Sequence, residues 1–169
     1  ASDALDADLK RHWDDWLQAT LKTAGSADAP LSARSAAVDV LATVGTADVY
    51  EALTPLLDPQ TPPSLQERAV AAMSSSGNAA ALEQLVAHWK GLGPKARKDA
   101  IDRLTQSASG VGVLLDAIEN QTVRTAELDR DKQQLLLKVP HATHRERAGR
   151  LRGSAESNRQ EDGATYEEA

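Results

Sequence analysis

No cysteine occurs anywhere in the 169 residues. Disulfides, thiol catalysis, thiolate zinc sites and covalent c-type haem attachment are therefore excluded within this chain, while the redox compartment stays open. Phenylalanine is missing too, and aromatic residues make up only 3% of the chain against 41% hydrophobic residues overall. A core must then be built from Ala, Leu and Val, which suit closely packed helices, whereas sheets favour β-branched and aromatic side chains. An excess of positive charge is also absent: the net charge is −6. That argues against broad binding to nucleic acid or anionic lipid, both of which need a positive field. No apolar run approaches the roughly 20 residues of a membrane span. No signal peptide is visible. The chain begins ASDALD, without Met, and is expected to be a processed form or a segment of something longer.

What is present is helical periodicity. Leu5, Leu9, Trp13, Trp16, Leu17 and Leu21 share one helical stripe, with Ser2 and Asp3 to start that helix and Gly25 to end it. From Ser32 onward the pattern changes to short helices, expected near 32–44, 46–57, 64–76, 78–90, 94–106, 110–120, 128–138 and 141–152. Ser32, Thr46, Ser64 and Asn78 are candidate N-caps. Gly45 and Gly77 stand where a helix needs a left-handed residue to stop, and Pro94 fits a first turn. The segment DPQTPP, Asp58 to Pro63, reads as a loop.

The short helices repeat a phrase. LQERAVAAMSSSG echoes SARSAAVDVLATVG before it and KARKDAIDRLTQSAS after it. Ala37-Val38 precedes Leu41, Ala69-Val70 precedes Met73, and Ala100-Ile101 precedes Leu104, at successive offsets of 32 and 31 residues. Periods of this size signal stacked helical units. In each unit the small residue lets a partner helix approach, and the large one four positions on fills the gap between layers. A second helix follows each phrase: VYEALTPLL, AALEQLVAHW and VGVLLDAIE. The expected fold is all-α: a HEAT/armadillo-like α-solenoid, a right-handed superhelix of antiparallel helix pairs, because one pair alone cannot bury both of its faces. The expected divisions are an N-terminal helix at 1–25, helical repeats at 30–152 and a polar linker or disordered tail at 153–169.

Few residues invite chemistry. His141 and His144, in PHATHRER, lie three apart on one helical face, where a metal could bridge them. No third ligand is suggested by position, and solvent-facing rings at a helix start explain the pair as well. GLGPKARK, Gly91 to Lys98, puts basic residues at a helix N-terminus, which can hold an anion. It lacks the spacing of a phosphate loop, and GVGV at 110–113 lacks the third glycine of a dinucleotide fingerprint. Arg145, Arg147, Arg150 and Arg152 make the last helix basic, which suits the helix dipole or a contact with an acidic neighbour. Trp13 and Trp16 read as core or capping residues, with Asp14 and Asp15 on a solvated face beside them. His88, next to Trp89, reads as half-buried. Paired carboxylates at a meaningful spacing, an ordered Ser/His/Asp set and H-E-x-x-H are all missing from the sequence.

One segment is more specific: LLDAIENQTVRTAELDRDKQQLLLKVPHATHRERAGRLRGSAESNRQ, Leu114 to Gln160. It resembles the end of the HEAT-like region of PVC-type haem-binding proteins, the large exported proteins of planctomycetes and related bacteria. In that family a helix of the LLDALE kind is followed by a short loop, an ELD-to-RQxLL helix, a His and an IRERAxKL-type helix. A linker then leads to a c-type cytochrome domain with CxxCH, and upstream lies a β-propeller like that of sugar dehydrogenases. Leu114–Glu119, Glu127–Asp129, Gln133–Leu136, His141 and Arg145–Leu151 match, and the likeness extends over roughly residues 30–160. The chain departs where His144 replaces the Ile before the RER run. Neither CxxCH nor a propeller is among these residues, so the resemblance implies context: a scaffold between a substrate-binding propeller and an electron-carrying cytochrome, in the periplasm or otherwise exported.

Three functional readings follow. The first is a non-catalytic spacer and interaction platform, with flanking domains or another protein as partners and no cofactor of its own. Its contact surfaces would be Trp13, Trp16, His141, Arg145, Arg147 and Arg150, with self-association through an apolar end helix. The second is a free-standing solenoid that binds a peptide or protein. The third is a metal-dependent enzyme using His141 and His144. Nucleic acid and membrane insertion are not expected in any of them.

Overall fold

The structure is a computed structural model that describes residues 2–75 and 77–153, with side chains from Asp6 onward. Helices account for all the regular structure among these residues. They are α1 (Ser2–Gly25), α2 (Leu31–Val44), α3 (Ala47–Leu53), α4 (Pro63–Ser75), α5 (Ala79–Ala87), α6 (Pro94–Leu104), α7 (Ala108–Glu119) and α8 (Arg130–Leu136), followed by α9 over residues 142–153. Short 3₁₀ turns stand at Thr54–Leu57, Trp89–Gly91 and Thr125–Glu127. The expected tail, the side chains of Ser2, Asp3 and Leu5, and Ser76 lie outside this description.

Helix ends follow backbone chemistry closely. Gly45 closes α2 at φ 67°, its N–H returning to the Leu41 carbonyl, and Gly77 also has positive φ. These are conformations that a Cβ makes costly. Asn78 caps α5, its side chain accepting from the N–H groups of Ala80 and Ala81. Pro94 opens α6. Two expected caps are displaced. Helix α2 begins at Leu31 after Pro30 and α4 begins on Pro63, so Ser32 and Ser64 lie inside their first turns. Proline's fixed φ starts each helix earlier than a serine cap would. Thr46 holds the N-cap position of α3, but its side chain makes no capping bond. The helix expected over 46–57 breaks at Leu53 because Pro55 supplies no N–H and the chain tightens into a 3₁₀ turn. Ser107 and Asp129 cap α7 and α8 through Gly110 N–H and Lys132 N–H.

The helices pack in two rows. Helix α2 lies against α4 and α4 against α6, while α3 lies against α5 and α5 against α7; α1 covers α2. Ala37, Ala69 and Ala100, with Leu41, Met73 and Leu104, are all buried, on the three adjacent helices of the first row. At the α6–α7 corner the approach is closer still. A Cβ on Gly110 would lie 2.3 Å from the Leu104 carbonyl oxygen, so the first glycine of GVGV is there for packing. Ion pairs join α2 to α4 (Asp39 with Arg68), α4 to α6 (Glu67 with Lys95), α6 to α8 (Asp102 with Lys132) and α7 to α9 (Asp116 and Glu119 with Arg147).

A second recurrence runs through the helix starts. The fourth residue of α2, α4, α6, α8 and α9 is Arg34, Gln66, Arg97, Gln133 and Arg145. Every one donates a side-chain N–H back to carbonyl oxygens of the segment before it. Arg34 reaches Ala24 at 3.1 Å; Arg97 reaches Trp89 and Lys90, both at 3.1 Å. Gln133 serves Thr125 and Leu128, and Arg145 serves Val139 and Pro140. Gln66 is the most enclosed, at 4% exposure. Its amide nitrogen lies 3.1 Å from the carbonyl oxygens of Leu57, Asp58 and Gly91, and its oxygen accepts from Gly93 N–H at 2.8 Å. One side chain thus ties α4 to the loop before it and to the start of α6.

Ala69 sits where α4 meets its neighbours with no exposed surface. Ala69→Leu is expected to destabilise the chain by about 1–3 kcal/mol through overpacking, read from urea unfolding followed by far-UV circular dichroism. A neutral result would mean that the site has room for three more carbons.

Candidate functional site

Two surfaces gather the candidate residues, one at each end of the described chain. On α1, Leu17 and Leu21 pack on the core and Ala24 is buried. The earlier part of the same stripe is not covered. Leu9 is 61%, Trp13 50% and Trp16 41% exposed. The two indoles lie together, ring centroids 4.9 Å apart and tilted by 32°. The expectation that Trp13 and Trp16 are core or capping residues is therefore corrected: among the described residues no helix lies beyond α1 to bury them. Asp14 and Asp15 are solvated beside them, as expected.

At the other end, the basic residues of α9 divide into separate roles. Arg147 is turned inward onto α7. Its Nε donates to Glu119 at 2.9 Å, and its Nη2 donates to Glu119 at 2.7 Å and to Asp116 at 2.5 Å. The Arg147 hydrogen bond holds the Glu119 carboxyl below its ordinary range against a smaller opposing effect of burial, and the same contact pushes the guanidinium further up. Arg145 is committed to the α8–α9 turn. Arg147 is half-buried by its contact, whereas Arg145 stays exposed. Arg150 and His141 are exposed.

His141 and His144 stand with ring centroids 5.3 Å apart. His144 is half-buried against Gly112, whose added Cβ would lie 3.5 Å from its Nε2. Its Nδ1 is buried without a hydrogen-bond partner. Among the described residues no cluster of three His, Asp or Glu forms that could hold a metal ion. His144 thus packs between α9 and α7, and the second glycine of GVGV makes room for it. His88 binds its own helix through Nδ1 and the Gln84 carbonyl.

The anion reading of GLGPKARK meets competing groups. Gly93 N–H is already given to Gln66, and Lys95 pairs with Glu67. Trp89, Arg97 and Glu127 form the most enclosed charged cluster, one that sequence reasoning missed. The Trp89 indole N–H donates to Glu127 at 3.0 Å, and Arg97 approaches the same oxygen at 3.5 Å. Burial pushes the Glu127 carboxyl up. The Arg124 N–H, the indole and the charges of Arg97 and Arg124 outweigh it and hold the group below its ordinary value. The cluster joins the Trp89–Gly91 turn and α6 to the Thr125–Glu127 turn. A pocket of about 220 Å³ of mixed character opens between α7, α8 and α9, lined among others by Leu115, Leu128, Leu136 and Leu151, with Arg130, Gln133 and Arg152.

No helix of the described chain is long and apolar enough to cross a membrane. No family model, curated protein or solved structure matches the chain.

Arg147→Met is expected to destabilise the chain by about 1 kcal/mol near neutral pH, a value reduced by the solvent exposure of its partners. Glu119 has a depressed folded-state pKa, so its contribution is present above the unfolded value and lost as pH falls through the folded one. The gap between wild type and variant should close as pH drops below the ordinary glutamate value of about 4.3. Unfolding curves across that range check it; a gap constant with pH would assign the effect to packing.

Proposed function

We propose that this chain is a non-catalytic helical-repeat scaffold, HEAT-like in architecture, that spaces and orients the domains of a longer exported protein. The observation that carries this reading is the recurrence of one joint. A side-chain donor at the fourth position of α2, α4, α6, α8 and α9 returns to the segment before. Ion pairs between residues 28 to 31 apart join neighbouring helices of each row. Repetition of a joint suits a mechanical part. The right-handed superhelix of antiparallel pairs belongs to this proposal and rests on the two rows of contacts together with the period near 32 residues.

The context comes from the resemblance of Leu114–Gln160 to the PVC-type haem-binding proteins. On that basis the chain would stand between a dehydrogenase-like propeller and a c-type cytochrome, in the periplasm, without a cofactor of its own. Holding two redox partners at fixed separation requires stiffness along the helix rows. Gln66, Arg97 and the Trp89–Glu127 tie supply it by joining consecutive segments through buried polar bonds. The partners would then be the flanking domains, met at the α1 end beside Trp13 and Trp16 and at the α9 end, where His141, Arg145 and Arg150 are exposed.

The test is the full-length polypeptide that carries this segment. Its flanks are expected to hold a β-propeller before residue 1 and a CxxCH segment after residue 169, and the purified protein should show a haem Soret band. Flanks without either would overturn the spacer reading in favour of a free-standing binding solenoid.

A further inference from the structure

The pocket between α7, α8 and α9 divides by burial. Its buried lining residues are apolar, Leu115, Leu128 and Leu136 among them. Its polar lining residues lie further out: Thr125 and Gln133 are half-buried, and Arg130 and Arg152 are exposed. An apolar interior with a few polar groups at its mouth is the common build of a small-molecule site.

The charges say what kind of molecule. Both charged lining residues are cations, in a chain of net charge −6. Four other hollows on the described surface each mix acids with bases, as Glu83 and Lys90 do in one and Asp131 and Lys138 in another. The acids next in sequence to the lining residues are engaged elsewhere. Asp116 and Glu119 hold Arg147, Glu127 accepts from Trp89, and Asp129 caps α8 through Lys132 N–H. Gln133 Nε2 donates to the carbonyls of Thr125 and Leu128, so these oxygens are not offered to a cation. Arg130 itself has no hydrogen bond or ion pair among the described residues. A guanidinium without a partner beside an apolar pocket is complementary to a carboxylate, which it can take through two parallel N–H donors.

Volume sets the size of the ligand. An apolar cavity of about 150 Å³ takes benzene, and drug-sized ligands occupy about 300 Å³ or more. At about 220 Å³ the space suits one ring or a chain of roughly six to eight carbons.

We propose that this pocket binds a small organic acid, its apolar body between Leu115, Leu128 and Leu136 and its carboxylate at Arg130. With so few atoms and an open mouth, the dissociation constant is about 0.1–1 mM.

The probe is octanoate, titrated into the chain with its leucine methyl groups labelled for NMR. Saturable shifts are expected at Leu115, Leu128, Leu136 and Leu151. 1-Octanol, with the same body and no charge, should bind about fivefold more weakly, and octylammonium more weakly again. Acetate, which has the charge without the body, should give no saturable shift at these methyls. Arg130→Gln should reduce octanoate binding to the level of octanol and leave octanol binding and the unfolding midpoint unchanged, since Arg130 has no partner to lose. Leu151→Trp, which fills the space with a larger side chain, should weaken both. The proposal is overturned by octanoate shifts that do not saturate or lie elsewhere, by acetate acting as octanoate does, or by equal octanoate binding in wild type and Arg130→Gln. None of these outcomes touches the spacer reading, whose test lies in the flanking domains.

Discussion

A helix that ends against the start of the next leaves carbonyl oxygens without partners, and burying them unpaired costs about 1–3 kcal/mol each. This chain meets that demand repeatedly in one way. The fourth residue of a following helix carries an N–H donor back to the carbonyls just vacated. Gln66 does so for Leu57 and Asp58 while also holding Gly91 and Gly93, so its single amide sets where α4, the preceding loop and α6 can lie. The apolar contacts come second in logic: Ala69 and Met73 pack against their neighbours because the helix start above them is fixed. Where the donor is Arg97, the charge it brings inward is met by Glu127, which Trp89 also holds.

Much of the fold was legible because it depends on residue size and backbone freedom. Ala37, Ala69 and Ala100 recur at helical register, and all are buried. Gly45 announces its helix end, and Asn78 and Pro94 their helix starts. The joints were harder to read. Arg, Gln, Arg, Gln and Arg share no identity, only a side-chain N–H of sufficient reach, and an exposed Arg looks the same on the page. Ser32 and Ser64 misled for the opposite reason: good caps by type, they were pre-empted by Pro30 and Pro63 close before them.

The candidate surfaces show the limits of periodicity more plainly. The α1 stripe from Leu9 to Leu21 is continuous in sequence, yet only its second half is covered, because burial depends on whether another helix lies opposite. Periodicity reports an apolar face and is silent about its cover. Arg147 illustrates the reverse. In a basic run it looks available, and only its placement over Glu119 and Asp116 reveals that its charge is spent within the chain. The candidate residues that stay exposed are Trp13 and Trp16 at one end, beside Leu9, and His141, Arg145 and Arg150 at the other.

The claim that the back-reaching donors hold the stack together is tested most directly at Gln66. Gln66→Met keeps length and volume while removing both the donor and the acceptor, leaving several buried backbone groups unpaired. Urea unfolding followed by far-UV circular dichroism should then show a loss of at least about 2 kcal/mol, with hydrogen exchange accelerated at Gly93 and through the first turn of α6. A variant within about 0.5 kcal/mol of wild type, the range of an ordinary surface change, would contradict the account and return the stability of the stack to apolar packing alone.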